Sequence, residues 1–514
     1  MASIPRRPAN FDGFVHANGP RLVDGGGTEL LLRGVGIGNW LLPEGYMWMF
    51  GPGAESPREI EGLITDLVGS DAARQFWRDF REAFFNEADI AAIARHGFDH
   101  IRLPINSRVI MDEAGQLIEE GFLLIDQVIN WCREHRLWVL LDLHGAPGGQ
   151  TGTNIDDSPN NRPELFMDDG YRDQTLALWR AIATRYAAET VVLGYDLLNE
   201  PIPNEWQYTY GSELAELYID LTRVIREVDN DHLIVYEGSH WATNWDIFTE
   251  VWDENSMLQF HKYWSSPDLP SIQKFLDASD RLGLPIYMGE GGENNLGWLY
   301  AAFRLYESQN IGWNFWPWKK IDTYTSPASI AAPEGWELIR DRAHGGRAVE
   351  PDRAARILAE LLNNMRLENC RWQQDILNAL LGFEPALMPA WAFSYRDNGY
   401  QVAFGHPLET IRANDPVSIE YLEPRAEETN VFEHTDGREA SHAETLVVRV
   451  RAGDWLHFEA DADAAEYLPM RADGTRAPFV LSSTPTGIRA TAREDALLWR
   501  LTRRVDTETD LSNG

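Results

Sequence analysis

At 514 residues the chain is longer than one hydrophobic core usually fills, so two domains are expected, one of them large. Hydrophobic residues at 44% and aromatics at 11% exclude a disordered protein. A formal net charge of −35, from 45 basic and 80 acidic residues, argues against nucleic acid or an anionic membrane as partner.

Lysine occurs only at Lys262, Lys274, Lys319 and Lys320, so arginine carries nearly all the positive charge. A GC-rich genome accounts for that bias, and adaptation to high salt, where dense carboxylates keep a protein soluble, is a second reading. Met1 to Pro8 is followed by no apolar stretch of the secretory kind, and no apolar run approaches the ~20 residues of a membrane span. A cytoplasmic setting is the expectation. Cys132 and Cys370 offer neither a disulfide framework nor metal-ligand spacing, and the histidines are scattered.

In chain order, apolar or β-branched runs predict strands near 30–39, 100–106, 137–144, 191–199, 232–238, 257–264, 285–290 and 311–318. Amphipathic stretches at 87–96, 120–135, 171–188, 211–229, 268–282 and 294–309 separate them, with apolar residues at i, i+3 and i+4. The strands are too continuously apolar to be half-exposed. Eight such units predict an α/β protein built on a closed (β/α)₈ barrel over residues 10–388. From 389 to 504 the pattern changes to short alternating runs such as Tyr400 to Phe404 and Thr445 to Val450. Turn pairs such as Asp436-Gly437 and Asp473-Gly474 break them, which predicts a C-terminal all-β sandwich. Residues 505–514 are polar and expected to fray.

On a barrel, side chains at the C-terminal ends of the strands converge on one face. Here they are Arg102, His144, Asn199, Glu200, Glu237, His261, Tyr263, Glu290 and Trp316. Glu200 closes an apolar run inside Asn199-Glu200-Pro201, and Glu290 closes Pro285-Ile286-Tyr287-Met288-Gly289. Two strand-end carboxylates suit glycosidic-bond hydrolysis with retention, in which one protonates the departing oxygen and the other attacks the anomeric carbon about 5 Å away. Asn199 could hold the sugar 2-hydroxyl. Arg102 and Tyr263 could donate to a carboxylate and keep it ionised. Glu200 is therefore assigned as acid/base and Glu290 as nucleophile. Glu237 is the rival carboxylate, read as a structural partner on the rim.

These residues, in order and in strand position, resemble the family 5 glycoside hydrolases, the cellulase-like family, over roughly residues 10–385. The resemblance implies a (β/α)₈ barrel, a retaining mechanism, a carbohydrate substrate, and no metal or organic cofactor. It puts Arg102, His144, Asn199, Glu200, His261, Tyr263, Glu290 and Trp316 on the recurrent active-site positions. The stretches Arg33 to Glu44 and Leu143 to Gly152 are similar to the exo-β-1,3-glucanase and β-glucosidase branch. That branch implies that Glu44 binds the non-reducing glucose and that Asp156 or Asp157 helps to close the pocket. Asn39 stands where the branch usually has glycine.

The eighth strand carries Trp313, Trp316 and Trp318, read as sharing one face. Trp316 is assigned as a sugar platform and Trp318 to an adjoining subsite, with Trp313 in the core. The segment Arg451 to Phe458 faintly resembles jelly-roll carbohydrate-binding modules, but an accessory domain that braces the barrel or shapes its rim is the preferred reading. The expected activity is a retaining exo-β-glycosidase on β-glucosides. Endo-β-glucanase, β-mannosidase and glycolipid-cleaving activities share the machinery, and a non-catalytic sugar-binding barrel is the alternative of another class.

Overall fold

The computed structural model describes residues 8–382, 387–395, 399–403, 405–408, 411–423, 444–460 and 463–504. The expectations for residues 1–7, Phe404, the Asp436-Gly437 turn and 505–514 lie outside these. Eight parallel strands close into a barrel in chain order. They are β1 (Arg33–Gly36), β2 (His100–Asn106), β3 (Trp138–Gly145), β4 (Val192–Asp196), β5 (Leu233–Glu237), β6 (Ser256–His261), β7 (Ile286–Gly292) and β8 (Gly312–Trp316).

Helices follow where the periodicity puts them, at Glu119–His135, Asp169–Tyr186, Gly211–Arg226, Leu269–Leu282 and Leu296–Ser308. The ends are written in sequence. Helix Glu87–His96 starts on an Asn86 side chain that accepts the Ala88 N–H, and it stops at Gly97 in the left-handed region. No helix among the described residues is long and apolar enough to cross a membrane.

Period-2 alternation sorts the barrel's side chains. On β3, Val139, Leu141 and Leu143 join the core shared with the helices, while Leu140 packs in a separate cluster with Leu193, Val235 and Met257. That second cluster is the apolar floor. Ala9, Val15 and Leu22 of the N-terminal segment complete it. Above the floor the inward positions turn polar: His100 and Arg102 on β2, Asp142 and His144 on β3, Gln259 and His261 on β6. All are buried. Apolar packing therefore ends partway up the lumen, and a polar layer begins.

Several strands are shorter than predicted, and this moves site residues. β4 ends at Asp196 and β6 at His261, so Asn199, Glu200 and Tyr263 sit on the loops just above the ladder. The apolar run continues past β4 because Leu197 and Leu198 remain fully buried, not because the ladder continues.

Among the described residues from Leu387 onward, three small antiparallel sheets form. Leu387–Pro389 pairs with Arg500–Arg503, which also pairs with Tyr467–Met470. Tyr400–Gln401, Trp455–Glu459, Gly487–Ala492 and Phe479–Thr484 make a four-stranded sheet, and Ser418–Tyr421, Leu446–Val450 and Ala496–Leu498 the third. The barrel helix Leu296–Ser308 meets this region, since the Tyr300 hydroxyl donates to the Ala392 carbonyl at 2.9 Å. Tyr300 also packs edge-on against Trp391.

Candidate active site

Arg102 is the centre of the polar layer. It is fully buried, and its guanidinium meets Asp142 Oδ2 at 3.1 Å, Asp196 Oδ2 at 2.8 Å, Glu237 Oε1 at 3.0 Å and Glu290 Oε2 at 2.8 Å. It also donates to Asn199 Oδ1 at 2.9 Å. One cation cannot neutralise four carboxylates, so the cluster favours holding protons. Burial pushes Asp142 and Asp196 well above the ordinary carboxylate range, with the Arg102 charge pulling the other way.

Glu290 stands at the top of this cluster. Arg102 donates to one of its oxygens, and the Tyr263 hydroxyl donates to the other at 2.8 Å. Burial lifts its carboxyl above the usual range and Glu200 adds to the lift, while the His261 and Arg102 charges oppose it. Burial and the neighbouring Glu290 push the Tyr263 phenol well above its ordinary value, so it stays a donor.

Glu200 sits across from it. Its backbone φ is 43°, a conformation a non-glycine residue rarely takes, and its N–H donates to Glu237 Oε2 at 2.7 Å. Its Oε1 faces His261 Nδ1 at 2.7 Å. Ligand atoms of Glu200, His261 and Glu290 all lie within 4.8 Å of one another. That matches the separation of carboxylates in retaining glycosidases, about 5–5.5 Å. A divalent cation could use the same spacing, but these groups are already turned on one another and on Arg102.

His144 donates from Nδ1 to Asp142 Oδ2 at 2.7 Å, and its Nε2 faces Asn199 Nδ2 at 3.2 Å. Burial, then the Arg102 charge, lowers its pKa to about 3, so the ring is neutral and can accept from the amide. The Trp316 indole lies parallel to the His144 ring, 5.4 Å away and 4° from coplanar. Gly36 and Gly38 make room for that indole, since a Cβ on either would fall 2.4 or 2.6 Å from its ring carbons. Trp316 Nε1 donates to the Tyr46 hydroxyl at 2.8 Å.

Glu44 is buried beside this wall, with Oε1 lacking a hydrogen-bond partner. Burial first, then Glu290, Glu293 and Glu200, pushes its carboxyl well above the ordinary range. Asn39 has a φ of 73°, which explains why glycine suits its position and why asparagine can replace it.

Four expectations are corrected. Trp318 does not reach the cleft: its indole donates to Asp89 Oδ1 at 2.9 Å and packs edge-on against Phe98 and Trp372. β8 ends at Trp316, so strand alternation no longer governs residue 318. Trp313 does not share a face with Trp316 either, because an odd separation puts it on the helix side against Phe303 and Glu307. Glu237 is no rim residue; it is fully buried in the polar layer. Asp156 uses its carboxylate on its own loop, accepting from Thr151, Gly152 and Ser158. Asp157 likewise accepts from the Arg58 N–H, Asn106 and Arg108.

Several groups escaped the sequence reading. Asp142 and Gln259 each stand two residues before a strand-end histidine, so alternation could have found them. Gln150 donates to the carbonyls of His144 and Asn199, joining two loops. Lys320 pairs with Glu293 at 2.6 Å and lies over the Tyr46 ring. Trp264, 49% exposed, packs beside Tyr263.

The family model of cellulase, glycosyl hydrolase family 5, matches residues 66–322, half of the chain. The chain is a family 5 glycoside hydrolase. Among relatives of this family 5 enzyme, a β-xylosidase of Phanerodontia chrysosporium is 28% identical over 347 residues, 60% of this chain and 71% of that protein. A probable glucan 1,3-β-glucosidase A of Aspergillus fumigatus is 29% identical over 277 residues, covering 51% of this chain and 64% of that one. The fold is similar to that of a solved endogalactoceramidase, with a TM-score of 0.50 and 14% identity over 96% of this chain and all of the other. That likeness concerns the fold alone, and it extends past the barrel of the family 5 enzyme into its C-terminal sheets.

Proposed function

We propose that this glycoside hydrolase is a retaining, exo-acting β-glycosidase that removes single sugars, glucose in the first place, from β-linked oligosaccharides or glycoconjugates. The observation that carries the reading is the separation of Glu200 and Glu290, within 4.8 Å and in different surroundings. Glu290, held by Arg102 and Tyr263, attacks the anomeric carbon and forms a glycosyl ester. Glu200 gives its proton to the leaving oxygen as the glycosidic C–O bond breaks. A water then enters, Glu200 takes its proton, and the ester is hydrolysed with net retention. Asn199 donates toward the sugar 2-hydroxyl, and Trp316 forms the floor beneath the ring.

Exo action is supported by the wall of Glu44, Tyr46 and the Lys320–Glu293 pair on the side of Trp316. The names of two relatives, a β-xylosidase and a probable glucan 1,3-β-glucosidase, agree with removal of terminal sugars. Proton NMR of the first product tests the reading. β-Anomer must accumulate before mutarotation, and α-anomer first overturns retention. Glu290→Ala should lower kcat by roughly 10⁴-fold or more on an aryl β-glucoside while the fold persists. Chain-end release of monosaccharide from laminari- or cello-oligosaccharides checks exo action; products of mixed length contradict it.

A further inference from the structure

We propose that Glu237 is a positioning residue that sets the proton on the acid/base, holding Glu200 by its backbone and His261 by its far ring nitrogen. The inference rests on the reading of Glu200 as acid/base. It concerns a residue that touches no substrate.

The two oxygens of Glu237 do different work. Oε2 accepts the Glu200 N–H at 2.7 Å and so fixes a residue in left-handed backbone. Oε1 accepts from Arg102 and Gln259 and lies 3.3 Å from His261 Nε2. The other nitrogen of that ring, Nδ1, is 2.7 Å from Glu200 Oε1. The line therefore runs carboxylate, imidazole, carboxylate. Only a doubly protonated ring can donate at both ends.

When the Nδ1 proton crosses to Glu200 Oε1, the N–H bond breaks with its electron pair left on nitrogen, and an O–H bond forms. Glu200 is then a neutral carboxylic acid, and the His261 Nε2–H remains 3.3 Å from Glu237 Oε1, beside Gln259 Nε2 at 3.2 Å. In the glycosylation step that O–H breaks in turn, and the proton goes to the leaving oxygen as it takes the C–O electron pair. Nothing is oxidised or reduced.

The charged groups around His261 are Glu200 on the loop after β4, Glu237 on β5 and Glu290 on β7, whose Oε2 is 4.0 Å from Nδ1. Behind them stand Arg102 on β2, Asp142 and the neutral His144 on β3, and Asp196 on β4. Burial by itself lowers the His261 pKa, but Glu237, Glu290 and Glu200 together push it well above the ordinary value. Charge compensation of Arg102 does not explain Glu237 alone. Asp196 also pairs with Arg102, at 2.8 Å, and has no hydrogen bond to Glu200 or His261. Asp196 is therefore the control.

The test measures kcat/KM against pH for two substrates, 2,4-dinitrophenyl β-glucoside, whose leaving group needs no proton, and phenyl β-glucoside, whose leaving group does. Glu237→Gln should lower the phenyl substrate about 10²–10³-fold and the dinitrophenyl substrate less than about 10-fold. The basic limb should move toward acid by about one to three pH units. The sign follows because the Glu237 charge stabilises the protonated His261–Glu200 pair, so without it the shared proton leaves at lower pH. Glu237→Asp, which keeps the charge, should return the limb toward its place. Asp196→Asn should lower both substrates alike.

Equal loss on both substrates with an unmoved limb in Glu237→Gln overturns the proposal. Glu200→Ala separates it from the reading beneath it: a variant that cleaves phenyl glucoside at the wild-type rate sinks the acid/base assignment itself. Should Glu237→Gln not fold, ¹⁵N-histidine NMR of the wild type decides. His261 must keep both ring protons above pH 7, and a ring already neutral at pH 6.5 refutes the idea.

Discussion

Two arginines of this chain are buried to the same degree and live in opposite surroundings. Arg102, in the barrel lumen, faces four carboxylates. Arg412, in the C-terminal region, lies 3.5 Å from the Phe393 ring centroid and 3.7 Å from that of Tyr395. Its guanidinium donates to the carbonyls of Trp391, Phe393 and Ser394 and pairs with one carboxylate, Asp415, at 2.7 Å. The second setting satisfies a cation with neutral dipoles, π faces and a single partner, as a structural lock requires. The first gathers four carboxyl groups around one cation, and burial drives Asp142 and Asp196 toward their protonated forms. Excess titratable groups weaken a fold, so their retention marks the place where protons are moved.

Removing each cation sharpens the contrast. Arg102→Met leaves four buried carboxylates without their common partner, and breaking such a set by removing one member costs about 3–5 kcal/mol. Activity should fall by several orders of magnitude, because Glu290 loses a hydrogen bond and Asn199 its anchor. Thermal unfolding and kcat/KM should therefore fall together. Arg412→Met should cost less, about 1–3 kcal/mol for the unsatisfied carbonyls and Asp415, and leave kcat/KM of the folded enzyme unchanged. A catalytic defect in Arg412→Met would erase the distinction between a lock and a site.

The sequence disclosed the barrel because its signals are local: continuous apolar strands and periodic helices. Strand-end residues were legible for the same reason, since chemistry-bearing side chains closed one apolar run after another. What escaped depends on contacts across the lumen. Nothing near Glu237 in the chain says that it meets Glu200 and His261, which come from other elements. Alternation misled where the ladder stopped, at Trp318. Asp156 looked available because a sequence shows a carboxylate without showing the loop N–H groups that occupy it.

The smallest effect comes from two indoles two residues apart. Trp316 and Trp318 are both buried, and each gives its Nε1 proton to one acceptor, the Tyr46 hydroxyl and Asp89 respectively. Trp318→Phe removes a hydrogen bond to a carboxylate that also pairs with buried Lys319 at 2.6 Å. The cost should be about 1–2 kcal/mol in unfolding free energy, with KM unchanged. Trp316→Phe loses a similar hydrogen bond but also the floor that lies parallel to His144, so KM for aryl glucosides should rise about 10-fold. If Trp318→Phe raised KM as much as Trp316→Phe, the eighth strand would be shaping the cleft beyond its own last residue, and the assignment of Trp318 to the barrel–helix layer would fail.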